Sequence, residues 1–303
     1  MVIKNKFINS YHYNCLKISS YILFLMLFLL CCYTKAQTPL YPDIYSSYAI
    51  NKVVLTPSYI PTVGKYGMSG VYKFKPGESN IALYDMSAVL VSNLENSNKQ
   101  VFRISFYNEK EGPYITSPRG YGNYAYQVAI SQNTMLSAGV ALGFVSKQFS
   151  APSATGIGNA FMPDANAGLS LQWKQFHSSI AMYQLFQSEG KAIDAKLKLN
   201  SYYQFYVNQV VVLNELWQLK PQVLLRVLPQ VTNQWLGGIS LGYKKQLEVA
   251  SIYTQRRGVA FQAIVKIDNT YLPISISVLY NSGLLSQTPV WLNSMEIGVD
   301  YIN

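Results

Sequence analysis

The sequence predicts an all-β protein: a transmembrane antiparallel β-barrel of roughly 12–16 strands, an even number as bacterial barrels take, with 14 favoured. Three observations carry this. Apolar and polar residues alternate through most of the chain. Charged residues make up 13% of it and aromatics 14%, chiefly Tyr, whereas a soluble domain carries about 25% charge. A secretory leader precedes the alternating region, and no later uncharged apolar run reaches the roughly 20 residues that a spanning helix needs.

The leader comes first. Lys4, Lys6 and Lys17 precede an uncharged stretch, residues 18–34, and Thr34, Lys35 and Ala36 form a small-residue site. This pattern reads as a signal peptide, residues 1–36, cleaved before Gln37. The alternatives are an uncleaved anchor and a lipoprotein; the bulky leucines before Cys31 and Cys32 argue against lipidation. Cleavage removes Cys15, Cys31 and Cys32, so the mature chain has no thiol nucleophile or disulfide. His177 then stands as its one histidine, and the loss of four lysines lowers the net charge from +10 to +6. So modest and dispersed an excess is no nucleic-acid footprint.

Residues 37–64 form an extended segment rich in Pro and Tyr (Pro39, Pro42, Pro57, Pro61), a lead-in that could fold into the lumen of a barrel spanning residues 65–303. Strand pattern begins at residues 70–75, where Tyr72 and Phe74 alternate with Lys73 and Lys75 before the turn signal Pro76-Gly77. Residues 81–91 alternate weakly. Phe102, Ile104 and Phe106 oppose Arg103 and Ser105, and Tyr124, Tyr126, Val128 and Ile130 oppose Ala125, Gln127 and Ala129. In residues 134–145, Leu136, Ala138, Val140, Leu142 and Phe144 share one face; Ser137, Gly139, Ala141 and Gly143 share the other. An outer-membrane barrel turns such greasy faces to lipid and the others to its lumen.

Residues 150–164 read as a loop. Strands follow at 167–174, 177–187, 195–207, 217–228, 235–244, 259–267, 274–280 and 296–301. Trp173, Trp235, Tyr243 and Tyr301 lie near the ends of outward rows, where membrane-interface aromatics sit. Lys73, Arg103, Lys174, Lys198, Lys244 and Lys266 fall on expected lumen faces. A soluble β-sandwich or propeller is the rival fold, but it would carry more charge on its outward face.

Chemistry is sparse. His177 and Ser179 share a strand face, the spacing of a histidine-activated serine in an outer-membrane lipid hydrolase. Nothing else supports such an enzyme. Gly156 and Gly158 lack the strand-turn-helix setting of a phosphate loop. With one mature histidine and scattered acids such as Asp164 and Asp194, neither a metal nor a cofactor site emerges, and the expectation is a non-enzymatic protein.

An ordered series of local signatures resembles the PorP/SprF family of type IX secretion outer-membrane proteins of Bacteroidetes. Residues 55–59 (Leu-Thr-Pro-Ser-Tyr) are similar to the family's Asn-Pro-Ala-Tyr element. Residues 106–112, the strand at Tyr124 and Tyr126, and residues 135–143 follow in the family's order. Residues 162–169 resemble its Pro-Asp-x-Asn-x-Gly turn and strand, and residues 220–227 and 297–301 its late strands. Thr56 and Ser58 depart from the usual Asn and Ala, and residues 67–74 lack the family's early Arg and Trp. The resemblance implies a barrel in the cell outer membrane, contacting lipid, other type IX secretion or gliding components, and a secreted surface protein or adhesin. It supplies no catalytic residues. A transport channel for small solutes is the second expectation.

Overall fold

The computed structural model describes residues 41–43, 46, 55–61, 64–94, 97–150, 157–192, 195–267, 273–286 and 293–303. The expected signal peptide lies outside the described residues. Period-2 alternation becomes strand throughout: β1 (Tyr66–Lys75), β2 (Glu78–Asn93), β3 (Lys99–Glu111), β4 (Ile115–Ser131), β5 (Thr134–Ser150), β6 (Ile157–Trp173) and β7 (Phe176–Tyr183). A hairpin, β8 (Glu189–Ala192) and β9 (Ala195–Lys198), interrupts the series before β10 (Tyr202–Gln209) and the two-residue β11 (Val211–Val212). β12 (Trp217–Val227), β13 (Gln234–Tyr243), β14 (Leu247–Thr254), β15 (Gly258–Ile267), β16 (Ile274–Asn281) and β17 (Met295–Ile302) complete the chain.

Each barrel strand pairs antiparallel with its sequence neighbours, β1 pairs with β17, and β10 pairs with β12, so the sheet closes. Among the described residues fourteen strands form the barrel, with β11 continuing β10 along β12. Closure leaves no unpaired edge, which is the condition for a sheet to sit in hydrocarbon. The faces separate as alternation predicts: Leu142 is 61% exposed and its neighbour Ala141 5%.

β1 begins and β17 ends at one rim, the termini rim, where short turns join β2–β3, β4–β5, β6–β7 and β13–β14. The opposite loop rim carries the β8–β9 hairpin and the long β16–β17 connection, beside the short β1–β2, β3–β4 and β14–β15 turns. The wall is uneven. β2 to β6 run 13 to 17 residues, whereas the other barrel strands run 8 to 11. The tall side rises past the loop rim. There the hairpin packs on its inner face, Ala192 and Leu199 against Val145, Ala160 and Met162.

Three sequence expectations need correction. Residues 157–164 are strand, because their inward Ala160 and Met162 pack under the hairpin. The stretch 195–207 breaks at residues 199–201, where the hairpin hands over to β10. Likewise the strand expected at 177–187 ends at Tyr183, where the chain turns towards the hairpin.

A lumen occupied by the chain itself

Apolar and polar side chains share the lumen, and Gln222, Arg226, Glu248 and Gln262 lie on the same strands as its apolar cluster. On β10 and β12 to β16, inward Tyr206, Leu224, Leu236, Ala250, Ile252, Ala260 and Leu279 form an apolar cluster. On β3 to β6, inward Arg103, Arg119, Asn123, Gln127, Asp164 and Asn166 are buried and polar. Between the walls lies the N-terminal segment. Leu55 joins the apolar cluster, while Ile60 packs on Val91, Val101 and Ala125 nearer the termini rim.

An extended segment without its own ladder must find partners for its backbone, above all at membrane depth. The lumen supplies side chains for this. Gln204 Nε2 donates to the Leu55 carbonyl (2.7 Å), Asn123 Nδ2 to that of Pro57 (3.0 Å), Ser137 Oγ to that of Ser58 (2.9 Å), and Arg103 Nη2 to that of Tyr59 (2.7 Å). Ser58 Oγ also meets Ser170 Oγ at 2.5 Å.

The fit is close where Gly139 and Gly168 stand side by side on β5 and β6. A Cβ on Gly139 would collide with the Pro57 carbonyl, and one on Gly168 with Thr56 Oγ1. Both positions suit glycine because the N-terminal segment occupies the space, by its backbone at Gly139 and by the Thr56 side chain at Gly168.

Near the loop rim the anchors are ionic. Asp43 pairs with Arg257 and lies 3.7 Å from Lys73, which lies 3.5 Å from Glu296. Lys73 and Glu296 are fully buried. Glu296 also accepts the Ser46 backbone N–H at 3.0 Å, and Arg226 donates to the Pro42 carbonyl at 3.1 Å. Burial lowers the Arg257 guanidinium to about 10 against support from Glu296, so it remains cationic at neutral pH. A cavity of about 110 Å³ remains between Pro42, Pro57 and the wall residues Arg119, Tyr121, Asp164 and Tyr202. It has room for several waters.

The sequence-selected residues divide. Lys73, Arg103 and Lys266 face the lumen, Lys266 lying 3.5 Å from Glu248. Lys174 and Lys244 do not: both sit in turns at positive φ (53° and 49°), which ends the alternation that would have turned them inward. Lys198 sits on β9 outside the wall, paired with Glu189 at 3.2 Å. His177 and Ser179 share the inward face of β7, where Ser179 Oγ is buried without a hydrogen-bond partner. The His177 ring lies edge-on to Tyr59 and beside Tyr206. Among the described residues no three His, Cys, Asp or Glu gather as a metal site.

Trp173, Trp235, Tyr243 and Tyr301 all lie on outward rows, but at two heights. Trp173, Tyr243 and Tyr301 are at the termini rim, where Lys174 lies over the Trp173 ring, Trp217 tilts against Tyr243, and Tyr66 lies beside Tyr301. Trp235 is near the loop rim with Tyr253. Sequence reasoning missed its companions there, Tyr84 with Phe106 and Phe144 with Phe161. These aromatic pairs sit on neighbouring strands, so strand register, and not single-strand pattern, brings them together.

Comparison with known proteins agrees with this architecture. A family model described as type IX secretion system membrane protein PorP/SprF matches residues 38–301. Among solved structures, a TodX deltaS2S3 mutant monoaromatic hydrocarbon channel is similar at a TM-score of 0.52 and 10% identity, covering 82% of this chain and 93% of that one. The P. putida toluene transporter TodX (TM-score 0.46, 10% identity, 80% and 90% covered) and a Pseudomonas aeruginosa FadL homologue (0.46, 10%, 78% and 89%) are further similar barrels. At such identity the first shows the fold alone. No curated protein matches the chain.

Proposed function

The chain belongs to the PorP/SprF family of type IX secretion system membrane proteins, and from that premise we propose that it is a non-enzymatic holder in the outer membrane. It assists the secretion or surface attachment of a partner protein of the type IX secretion and gliding machinery. The observation that carries this reading is the occupied lumen: the chain's own residues 41–43, 46 and 55–61 fill the space a solute would cross, with both rims anchored. The short β4–β5 and β6–β7 turns at the termini rim, with the hairpin and the long β16–β17 connection at the loop rim, support the orientation in which the termini rim is periplasmic and the loop rim outward. The tall wall and hairpin then stand on the outer side, where a surface protein would be held. Trp173, Tyr243 and Tyr301 would mark the inner membrane interface and Trp235 the outer one.

Deletion of the protein should deplete one or a few type IX surface proteins while total type IX secretion largely persists. The same proteins should copurify with the native barrel from outer membranes. His177→Ala should leave display intact, since the ring packs against Tyr59 and Tyr206. Unchanged surface proteins together with reduced uptake of a small solute would replace this reading with a channel.

A further inference from the structure

Arg119 is a buried cation without an acceptor. It stands on the inward face of β4 and is 5% exposed. Among the described residues its guanidinium donates no hydrogen bond and forms no ion pair; it lies over the Tyr107 ring, 5.4 Å from the centroid. The ring covers one face of the guanidinium and leaves its N–H edge unsatisfied. Such burial is costly, because a cation gives up its water and gains no acceptor in return. The acids around it are engaged elsewhere. Asp164 accepts the Tyr121 hydroxyl and the Ala165 N–H, both at 2.7 Å. Glu109 accepts the Tyr107 hydroxyl at 3.0 Å and the Asp43 N–H at 3.3 Å. Asp43 pairs with Arg257, and Asp85, two strands away in the row of Arg119, makes no ion pair with it.

Arg119 lines the cavity of about 110 Å³ beside Pro42 and Pro57, and two further guanidiniums, those of Arg103 and Arg226, line it as well. Both are held in place by their outer nitrogens: Arg103 donates to the Tyr59 carbonyl, and Arg226 to the Pro42 carbonyl and to Gln234. The Nε of all three arginines is buried and has no hydrogen-bond partner. Guanidinium N–H groups form a planar fork that matches the oxygens of phosphate, sulfate and carboxylate groups. We propose that this cavity is a binding site for a small free oxyanion of that kind, whose oxygens accept from the Arg119 guanidinium while Arg103 and Arg226 add positive charge at its edge. A space for several waters admits such an ion; a lipid headgroup would have to draw its acyl chains into a polar lumen. Because Pro42 and Pro57 line the same cavity, the bound ion ties the N-terminal segment to the β3–β6 wall. The site stands independently of the partner-holding reading.

Calorimetric titration of the full-length barrel, refolded from urea into detergent in a chloride buffer, tests this with sodium phosphate, sulfate and acetate at constant ionic strength. At least one of the three should bind saturably, one ion per barrel. Arg119→Gln should weaken that binding by about tenfold or more, the loss expected for a charged hydrogen bond. Arg119→Lys, which keeps the charge and loses the fork, should fall between the two, and it carries the test if Arg119→Gln fails to show the heat-modifiable migration of a folded barrel. Arg256→Gln, at an exposed arginine in the β14–β15 turn outside the cavity lining, should bind as the parent does. Absence of saturable binding by all three ions would overturn the site, and so would undiminished binding by the folded Arg119 variants. Displacement of the bound ion by dihexanoyl phosphatidic acid would overturn its assignment to a free ion in favour of a headgroup.

Discussion

The two ends of the lumen segment are held by different physics. At the loop rim Asp43 is held by charge, shared with Lys73 and Arg257 in a network that also includes Glu296. Towards the termini rim, residues 56–60 carry no charge and are held by shape against Gly139 and Gly168 and by hydrogen bonds from Asn123, two serines and the Arg103 guanidinium to their backbone and hydroxyl oxygens. Buried charges bear a desolvation cost that their attraction only partly returns, so such an anchor fixes position more than it adds stability. A glycine notch adds little energy but admits one backbone path. The charged end therefore fixes the segment's position, and the packed end its path.

Changes at the charged end should cost most. Lys73→Met removes the cation 3.5 Å from Glu296 and one of the two beside Asp43, and should lower stability by about 3–5 kcal/mol, measured by urea unfolding of the refolded barrel in bilayers. Adding Glu296→Gln should recover part of that loss, because it removes the stranded charge; additive losses would show that the two side chains are not coupled. Gly139→Val should cost about 1–3 kcal/mol through overpacking against Pro57. Gly237→Val, on the outward face of β13, should cost clearly less in the same assay, and equal losses would remove the notch from the account.

Smaller effects follow. Ser58→Ala removes a buried hydroxyl shared with Ser170 and should cost about 0.5–1.5 kcal/mol. Tyr41→Phe deletes one exposed hydrogen bond, and its stability should stay within about 0.5 kcal/mol of the parent. If Tyr41→Phe proved as damaging as Lys73→Met, the division between the two anchors would not hold.

The fold was largely legible in the sequence because each wall position obeys a local rule. Leu142 and Ala141 differ in exposure as their neighbours' alternation implies, and the even strand number follows from closure. What escaped was set by contacts far apart in sequence. Residues 157–164 carry Gly, Pro and Asn, which read as loop until Met162 is seen packed under a hairpin formed some thirty residues later. Lys174 and Lys244 continue the alternation on paper, yet each occupies a left-handed turn position. Of the candidate site, the prolines at 42 and 57 hinted at an extended segment. Its anchors at Arg226, Asn123 and Gln204 come from strands that only barrel closure brings around it.

Single-channel recording of the intact, folded protein in planar bilayers tests the occupied lumen most directly. A barrel filled by its own N-terminal segment should show no steady conductance, and one lacking residues 37–61 that still migrates as a folded barrel should conduct. Steady, open-pore conductance from the intact protein would contradict the account.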